Sequence, residues 1–234
     1  NIGDVTVFYY APLSKRVATL TTMKTWSEVM AYSPDETMLA VGGHDDAVFI
    51  YRIEDGAYKL IKACSEFSSA VTALDWTLDS QYLRSIDQAY AKLYHKAATG
   101  EAITAGESNL ATDDTIWASN TCKLGWSTQG VFLPGYDGTD INGVDVSADR
   151  QLLVCGDDLG GVFLWRYPVV SNKHNCYRFT GHSEHVPRTR FASISGGEPT
   201  HVISVGGNDK SIMQWKLVPA EKKGAEAGCD GPLR

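Results

Sequence analysis

The chain has 234 residues, a formal net charge of −7 and a hydrophobic content of 43%. This length and composition suffice for a buried core, and the acidic balance without a basic stripe excludes the usual nucleic-acid-binding surface. No stretch approaches 18 consecutive apolar residues and the first 20 residues lack the order of a signal peptide, so we predict no membrane partner. Five cysteines without a Cys-x-x-Cys spacing favour a reducing, cytoplasmic environment.

Taken in chain order, the elements are short strands. The segment DVTVFYYAPLSKRVATL (4–20) predicts a pair of strands, and later runs alternate apolar and polar residues or are rich in β-branched and aromatic residues. The clearest of these runs are Val48–Tyr51, Val71–Trp76, Leu152–Cys155 and Val162–Trp165. Each is bounded by turn formers and is too short for a core helix, so the fold class is predicted to be all-β.

One hairpin pattern recurs four times along the chain. Small residues, an acidic or amide turn and an alternating strand that ends in an aromatic residue occur in VGGHDDAVFIY (41–51), RSIDQAYAKLY (84–94), VCGDDLGGVFLW (154–165) and VGGNDKSIMQW (205–215). A repeat of roughly 40 residues is typical of β-propeller blades. The terminal aromatic residues of these hairpins are taken to be Tyr51, Tyr94, Trp165 and Trp215.

The repeat predicts the domain organisation. Residues 26–218 are expected to form about four full four-stranded blades, the third with an insertion at about 95–125, and residues 1–25 the outer strands of a partial blade. Residues 219–234 are charged and Gly-rich, which predicts a flexible tail. Because a closed ring of seven blades needs roughly 280 residues, the chain is predicted to be part of a larger propeller.

The turns and the sequence TGHSEHV (180–186) resemble the WD-repeat family. That resemblance implies structural roles for six residues: His182, Asp209, Trp215, Trp165, Asp45 and Asp158. Val41 and Val205 stand where the family usually has Ser or Thr, and Gln88 stands at the turn Asp of the second hairpin. Hydrogen-bonded tetrads of the WD type are therefore expected to be incomplete.

A more specific resemblance lies around the insertion. The stretch IWASNTCKLGWSTQGVFLPGYDGTDINGVDVSADRQLL (116–153) and the ending SIMQWKLV (211–218) resemble the C-terminal propeller of the echinoderm microtubule-associated protein-like family, over roughly residues 26–218. The resemblance implies a non-enzymatic module that binds tubulin or a microtubule-associated partner. It also implies a location on the microtubule cytoskeleton or in the cilium. A generic WD-repeat adaptor for another protein complex remains open as the alternative, since the fold alone permits it equally.

The WD-repeat resemblance also implies a binding rim, meaning the positions just before each turn Asp and near the start of each innermost strand. On this sequence the rim comprises Trp26, Glu28, His44, Ala70, Thr72, Asp87, Asp140, Asn142, Asp157, His185, Pro187 and Asn208. Four of these positions are acidic and none is Lys or Arg, so we expect a neutral or basic partner surface. Trp26 is the candidate anchor, because Trp is enriched at binding hot spots.

No signature of an enzyme is found. The six histidines are scattered without a His-Glu-x-x-His pair, no Gly-x-Ser-x-Gly elbow occurs, and the clustered aspartates fall at repeat turns, where turn geometry already explains them. We therefore expect no catalytic residues, no cofactor and no metal site.

Overall fold

A computed structural model describes residues 3–8, 15–104, 110, 116–135, 141–193 and 199–218. The predicted tail at 219–234 and the rim residue Asp140 lie outside this part of the chain. The chain divides into two compact units, Asn1–Cys122 and Lys123–Arg234. No helix among the described residues is long and apolar enough to cross a membrane.

The first unit holds three antiparallel sheets within its described residues. Its strands are β1 (Val5–Phe8), β2 (Arg16–Leu20), β3 (Ser27–Tyr32), β4 (Met38–Gly43), β5 (Ala47–Glu54), β6 (Ala57–Cys64), β7 (Val71–Trp76), β8 (Tyr82–Asp87), β9 (Lys92–Lys96) and β10 (Ala102–Ile103). β1 pairs with β2, and the two following sheets have the orders β3-β4-β5-β6 and β7-β8-β9-β10. The second blade thus ends with β10, which lies inside the range 95–125 that the sequence assigned to the insertion.

The second unit contains a 3-10 helix at Gln129–Val131 and seven described strands. These are β11 (Ile141–Val146), β12 (Leu152–Asp157), β13 (Gly161–Arg166), β14 (Cys176–Thr180), β15 (Arg188–Ala192), β16 (His201–Val205) and β17 (Ile212–Lys216). They form a four-stranded sheet in the order β11-β12-β13-β14 and a three-stranded sheet in the order β15-β16-β17. All four of the clearest strands predicted from the sequence are confirmed, as parts of β5, β7, β12 and β13.

The turn between the first two strands of a blade is the same in three blades. A Ser or Thr hydroxyl donates to the carboxylate of the Asp two residues later at 2.5–2.6 Å, in the pairs Ser33–Asp35, Thr77–Asp79 and Ser147–Asp149. The residue after each Asp has a positive φ: Glu36 at 59°, Ser80 at 60° and Arg150 at 55°. Local side-chain bonds of this kind fix a turn without any tertiary contact, which explains why the Asp signal is readable in the sequence.

The cores are formed by the faces of the sheets. In the first unit Trp76 of β7 is 1% exposed and donates its indole N–H to the carbonyl of Ala31 on β3 at 3.0 Å, which joins the second and third sheets. In the second unit Phe163 and Trp165, both 1% exposed, stack with ring centroids 6.4 Å apart. Truncating a buried Trp of this kind costs about 3–5 kcal/mol.

Three cysteines of the described part of the chain lie in the protein interior. Cys64, Cys122 and Cys155 are buried free thiols.

Candidate protein-binding rim

A hydrogen-bonded chain of four side chains crosses the last sheet. The indole N–H of Trp215 donates to Ser204 Oγ at 2.8 Å, and His182 Nε2 lies 2.8 Å from the same oxygen. His182 Nδ1 lies 3.0 Å from Asp209 Oδ2. The other carboxylate oxygen of Asp209, Oδ1, accepts from the backbone N–H of Ser211 at 2.9 Å. The expectation of an incomplete tetrad is wrong for this blade: Ser204, one residue before Val205, supplies the hydroxyl. Adjacent residues of a strand point to opposite faces of the sheet. The repeat pattern placed Val205 at the hydroxyl position, but Ser204 is the residue on the face of His182 and Trp215.

The second blade has different residues at the same positions. Val202 pairs with Trp215 in the last sheet, and Leu83 pairs with His95 in the second blade, so the strand register places His95, and not Tyr94, where the other blade has Trp. Ser85 is at the position of Ser204, and the ring of Phe67 lies 6.0 Å from that of His95. The hydroxyl of Ser85 and both ring nitrogens of His95 are buried without hydrogen-bond partners.

Two predicted rim aspartates are buried. Asp87 and Asp157 are both 0% exposed and each ends the second strand of its blade. Asp87 accepts from the backbone N–H of Ala91 at 2.7 Å, and Asp157 accepts from the N–H of Leu159 at 3.0 Å and from that of Gly161. Their placement on an accessible rim is therefore corrected: both carboxylates hold the turn. Asp158, for which the sequence predicted a structural role, is the exposed neighbour.

A β-bulge marks the start of the innermost strand in three blades. The register shifts between Ser27 and Val29, between Val71 and Ala73, and between Ile141 and Gly143. The extra residues are Glu28, Thr72 and Asn142, which are three of the predicted rim positions. Bulges bend a strand and re-aim a side chain, and they are over-represented beside functional sites.

Each bulge residue contacts the adjoining strand or turn of its own blade. Glu28 Oε2 lies 3.7 Å from His44 Nε2, Thr72 Oγ1 donates to the carbonyl of Ile86 at 3.4 Å, and the Asn142 amide donates to Asp158 Oδ1 at 2.7 Å. These bulges were not predicted from the sequence. Gly43, Gly143 and their neighbours carry part of the signal, because a Gly inside a strand pattern often accompanies a bulge.

Trp26 is the most exposed large side chain among the rim residues. It is 63% exposed, and its ring meets that of His44 edge-on with centroids 5.4 Å apart. The carbonyl of Trp26 accepts from the N–H of His44 at 2.9 Å, which fixes the backbone under the indole. Asp45 also fixes the segment just before Trp26, because its carboxylate accepts from the N–H of Lys24 at 2.7 Å and from Thr25 Oγ1 at 2.6 Å.

The remaining described rim residues vary in exposure. His185 and Pro187 are half-buried, Asn208 is exposed, and Ala70 is 4% exposed. Glu184 connects two of them, because its carboxylate accepts from the backbone N–H of His185 at 2.9 Å and from that of Asn208 at 3.3 Å. The turn and the preceding loop of the last blade are thereby held together at the rim.

The sequence-based prediction did not include a buried polar cluster around Asp75. Asp75 and Arg84 are 0% and 3% exposed, and Arg84 Nε donates to Asp75 Oδ2 at 2.9 Å. Asp75 also accepts from Ser119 Oγ at 2.6 Å and from the N–H groups of Thr121 and Cys122 at 2.8 and 3.1 Å. Burial acts to raise the pKa of Asp75, but Arg84 and these donors outweigh it and hold the pKa below its ordinary value. The ion pair anchors the segment after the second blade, within the stretch that carries the specific family resemblance.

The pKa values of the turn aspartates in the last two blades, Asp157 and Asp209, are shifted in opposite directions. Burial raises the pKa of Asp157, although the N–H groups of Gly161 and Leu159 oppose it. The N–H of Ser211 and the neighbouring donors lower the pKa of Asp209 to about 2. The two aspartates lie at equivalent turns, but they differ in burial and in the hydrogen-bond donors that surround them.

Comparison with known families decides the classification. The model of the second β-propeller of the echinoderm microtubule-associated proteins matches residues 1–217. The chain belongs to this family. Members of the family are non-enzymatic, microtubule-associated proteins, so the predictions of a WD-type β-propeller and of a non-enzyme are confirmed.

The curated relatives have similar identities. The chain is 41% identical over 204 residues to a ciliary WD repeat-containing protein, ctxp80, of Euplotoides octocarinatus, covering 87% of this chain and 27% of the relative. It is 41% identical to mouse echinoderm microtubule-associated protein-like 1 over 81% of this chain and 23% of that protein. It is 42% identical to the 77 kDa echinoderm microtubule-associated protein of Strongylocentrotus purpuratus over 82% of this chain and 27% of that protein. The chain therefore spans about a quarter of the length of these relatives.

A solved structure supports the fold alone. A chain in a crystal structure of the mitotic checkpoint complex superposes with a TM-score of 0.51 at 14% identity, covering 93% of this chain and 57% of that chain. With the family match, this makes the chain part of a larger WD-type propeller, as the repeat count predicts.

Proposed function

We propose that this chain is a protein-binding part of a microtubule-associated protein and that its rim engages tubulin or a microtubule-associated partner. The observation that carries the proposal is the repeated bulge, which puts Glu28, Thr72 and Asn142 at the same place in three blades. A bulge that recurs at the same position of three sheets presents variable side chains on a rigid sheet frame, which is how many scaffolds build a binding surface.

The names of the relatives support the choice of partner. They include microtubule-associated proteins and a ciliary protein, which favours a location on microtubules or in the cilium for this chain as well. The exposed acidic groups at the rim include Glu28 and, beside the rim residue Asn142, Asp158. Such a surface fits a neutral or basic region of the partner, and on tubulin, which is acidic overall, that region would be a local basic patch.

Trp26 is proposed as the anchor of the contact. Its indole is exposed and its backbone is held by His44, so little conformational entropy is lost when a partner covers the ring. Trp126 is a matched control, because it is 59% exposed and is not one of the predicted rim residues.

The test is a binding titration of the chain with purified tubulin heterodimer, monitored by fluorescence anisotropy and by co-elution in gel filtration. We expect Trp26→Ala to weaken binding about thirtyfold, corresponding to about 2 kcal/mol at a hot spot, and Asn142→Lys to weaken it as well. Trp126→Ala should bind as the parent does. Equal loss in both Trp variants, with unchanged circular dichroism, would contradict the rim assignment, and no co-elution of the parent would favour an adaptor for another protein.

A further inference from the structure

Three potential metal ligands meet between two blades of the first unit. Cys64 ends β6, Glu66 lies in the loop that follows, and His95 lies on β9 of the next sheet. One ligand atom from each residue lies within 4.8 Å of the other two. The side chains of Cys64 and His95 are fully buried, whereas the side chain of Glu66 is 40% exposed and connects the cluster to solvent.

His95 is the unusual member of this cluster. Both of its ring nitrogens are buried without a hydrogen-bond partner, and Nε2 lies 3.4 Å from Glu66 Oε2 without hydrogen-bond geometry. A buried polar group left without a partner costs about 1–3 kcal/mol. The register gives His95 the place that Trp215 occupies in the last blade, where the indole N–H is bonded to Ser204. His95 therefore lacks, at the same position, the hydrogen bond that Trp215 makes.

The chemistry of the three groups fits one class of ligand. Thiolate, imidazole and carboxylate are the side chains that bind Zn²⁺, and three protein ligands with one open position are common at such sites. A tetrahedral zinc shell keeps its ligand atoms about 3.5 Å apart, so the three ligand atoms need to approach one another by no more than about 1.3 Å. Rotation of the exposed Glu66 side chain can supply this movement.

Other groups near the cluster are compatible with a cation. The Cys64 thiol donates to the carbonyl of Gly100 at 3.4 Å. The backbone φ at position 100 is +66°, a conformation that favours glycine. Lys62 Nζ lies 3.9 Å from Glu66 Oε1, and its side chain is 43% exposed. Lys62 can therefore turn into solvent when a cation takes its place.

We propose that Cys64, Glu66 and His95 form a Zn²⁺-binding site, with a water molecule as the fourth ligand. Binding replaces the S–H bond of Cys64 by a sulfur–zinc bond, and the proton leaves to solvent. The bound cation ties the outer strand of one blade to β9 of the next. The sequence could not indicate this site, because its ligands come from two different repeats and follow no metal-binding spacing.

The site is tested by titrating the chain with Zn²⁺ in the presence of a competing chelator and with Co²⁺ by absorption spectroscopy. We expect one equivalent of Zn²⁺ and a sulfur-to-cobalt charge-transfer band. Cys64→Ser should abolish that band, and His95→Gln should weaken Zn²⁺ binding about tenfold or more. Cys155→Ser removes another buried free thiol and should bind Zn²⁺ as the parent does.

Substitutions at the buried Cys64 and His95 can disturb folding as well as metal binding. Glu66→Gln tests the site separately, because Glu66 is exposed. It should also weaken binding about tenfold, whereas Glu101→Gln, at another exposed carboxylate, should not. The proposal is overturned if the parent binds no stoichiometric Zn²⁺ or gives no charge-transfer band. It is equally overturned if Glu66→Gln binds Zn²⁺ as tightly as Glu101→Gln.

Discussion

The strand pair β16–β17 of the last blade and the strand pair β8–β9 of the second blade have the same register but are stabilised by different polar groups. In the last blade Trp215, Ser204, His182 and Asp209 form one hydrogen-bonded chain. In the second blade the hydroxyl of the corresponding Ser85 and the ring nitrogens of His95 make no hydrogen bond, and a buried ion pair between Asp75 and Arg84 lies in the same sheet. A repeat can therefore keep its backbone while the polar groups that support it are exchanged.

The largest expected effect is at the ion pair. Asp75→Asn leaves the Arg84 guanidinium buried without its counter-charge, and we expect a loss of about 3–5 kcal/mol in the free energy of unfolding. Asp145→Asn is the matched control, because Asp145 is half-buried on β11 and accepts from the N–H of Phe191 at 2.8 Å, so it should cost only about 1 kcal/mol. Urea denaturation measures both. Similar losses in the two variants would remove the special role of the ion pair.

A smaller effect compares the two serines directly. Ser204→Ala leaves the indole of Trp215 and the imidazole of His182 without their shared partner, and we expect a loss of about 1–3 kcal/mol. Ser85→Ala removes a hydroxyl that has no hydrogen-bond partner and should change stability by about 0.5 kcal/mol or less. Urea midpoints of the two variants and the parent give the answer. A large loss in Ser85→Ala would mean that the two blades use this position alike.

The smallest effect is a difference in pH dependence between two turn aspartates. The pKa of Asp209 is lowered to about 2, so its ionised form stabilises the fold above the ordinary value of 3.8, and this contribution is lost as the pH falls towards about 2. The advantage of the parent over Asp209→Asn should therefore shrink over that range.

Asp157 should behave in the opposite way. Burial raises its pKa above 3.8, so its ionised form destabilises the fold at higher pH, and protonation relieves this as the pH falls through the raised pKa. The parent should then gain stability relative to Asp157→Asn. Unfolding free energies of the parent and both variants, measured between about pH 6 and pH 2, test the pair. The same sign for both variants would contradict the assigned environments.

Local chemistry explains which features the sequence predicted well. The strands and the repeat depend on alternation and on turns that local bonds hold, such as those between Ser33 and Asp35 or between Ser147 and Asp149. The rim positions Glu28, Thr72 and Asn142 were also named from the sequence, although only through the family resemblance. Their role in binding stays a prediction.

Register explains what the sequence-based reasoning got wrong. Ser204 was missed in favour of Val205, Tyr94 was taken for the position of His95, and Asp158 was assigned the structural role that Asp157 has in the structure. Each error is a shift of one residue. Adjacent residues of a strand point to opposite faces, so a pattern that locates a hairpin does not by itself decide which of two neighbours is buried.

The sequence by itself determined the all-β repeat, the turn aspartates and the family, because these follow from local periodicity and from motifs that are contiguous in the chain. Only the tertiary structure decided which side chains meet across strands and blades: Asp75 with Arg84 and Ser119, Ser204 with Trp215 and His182, and Cys64 with Glu66 and His95. The physical reason is that burial and pairing between distant residues depend on sheet register and on the packing of one sheet against the next, and neither is encoded in a local window of sequence.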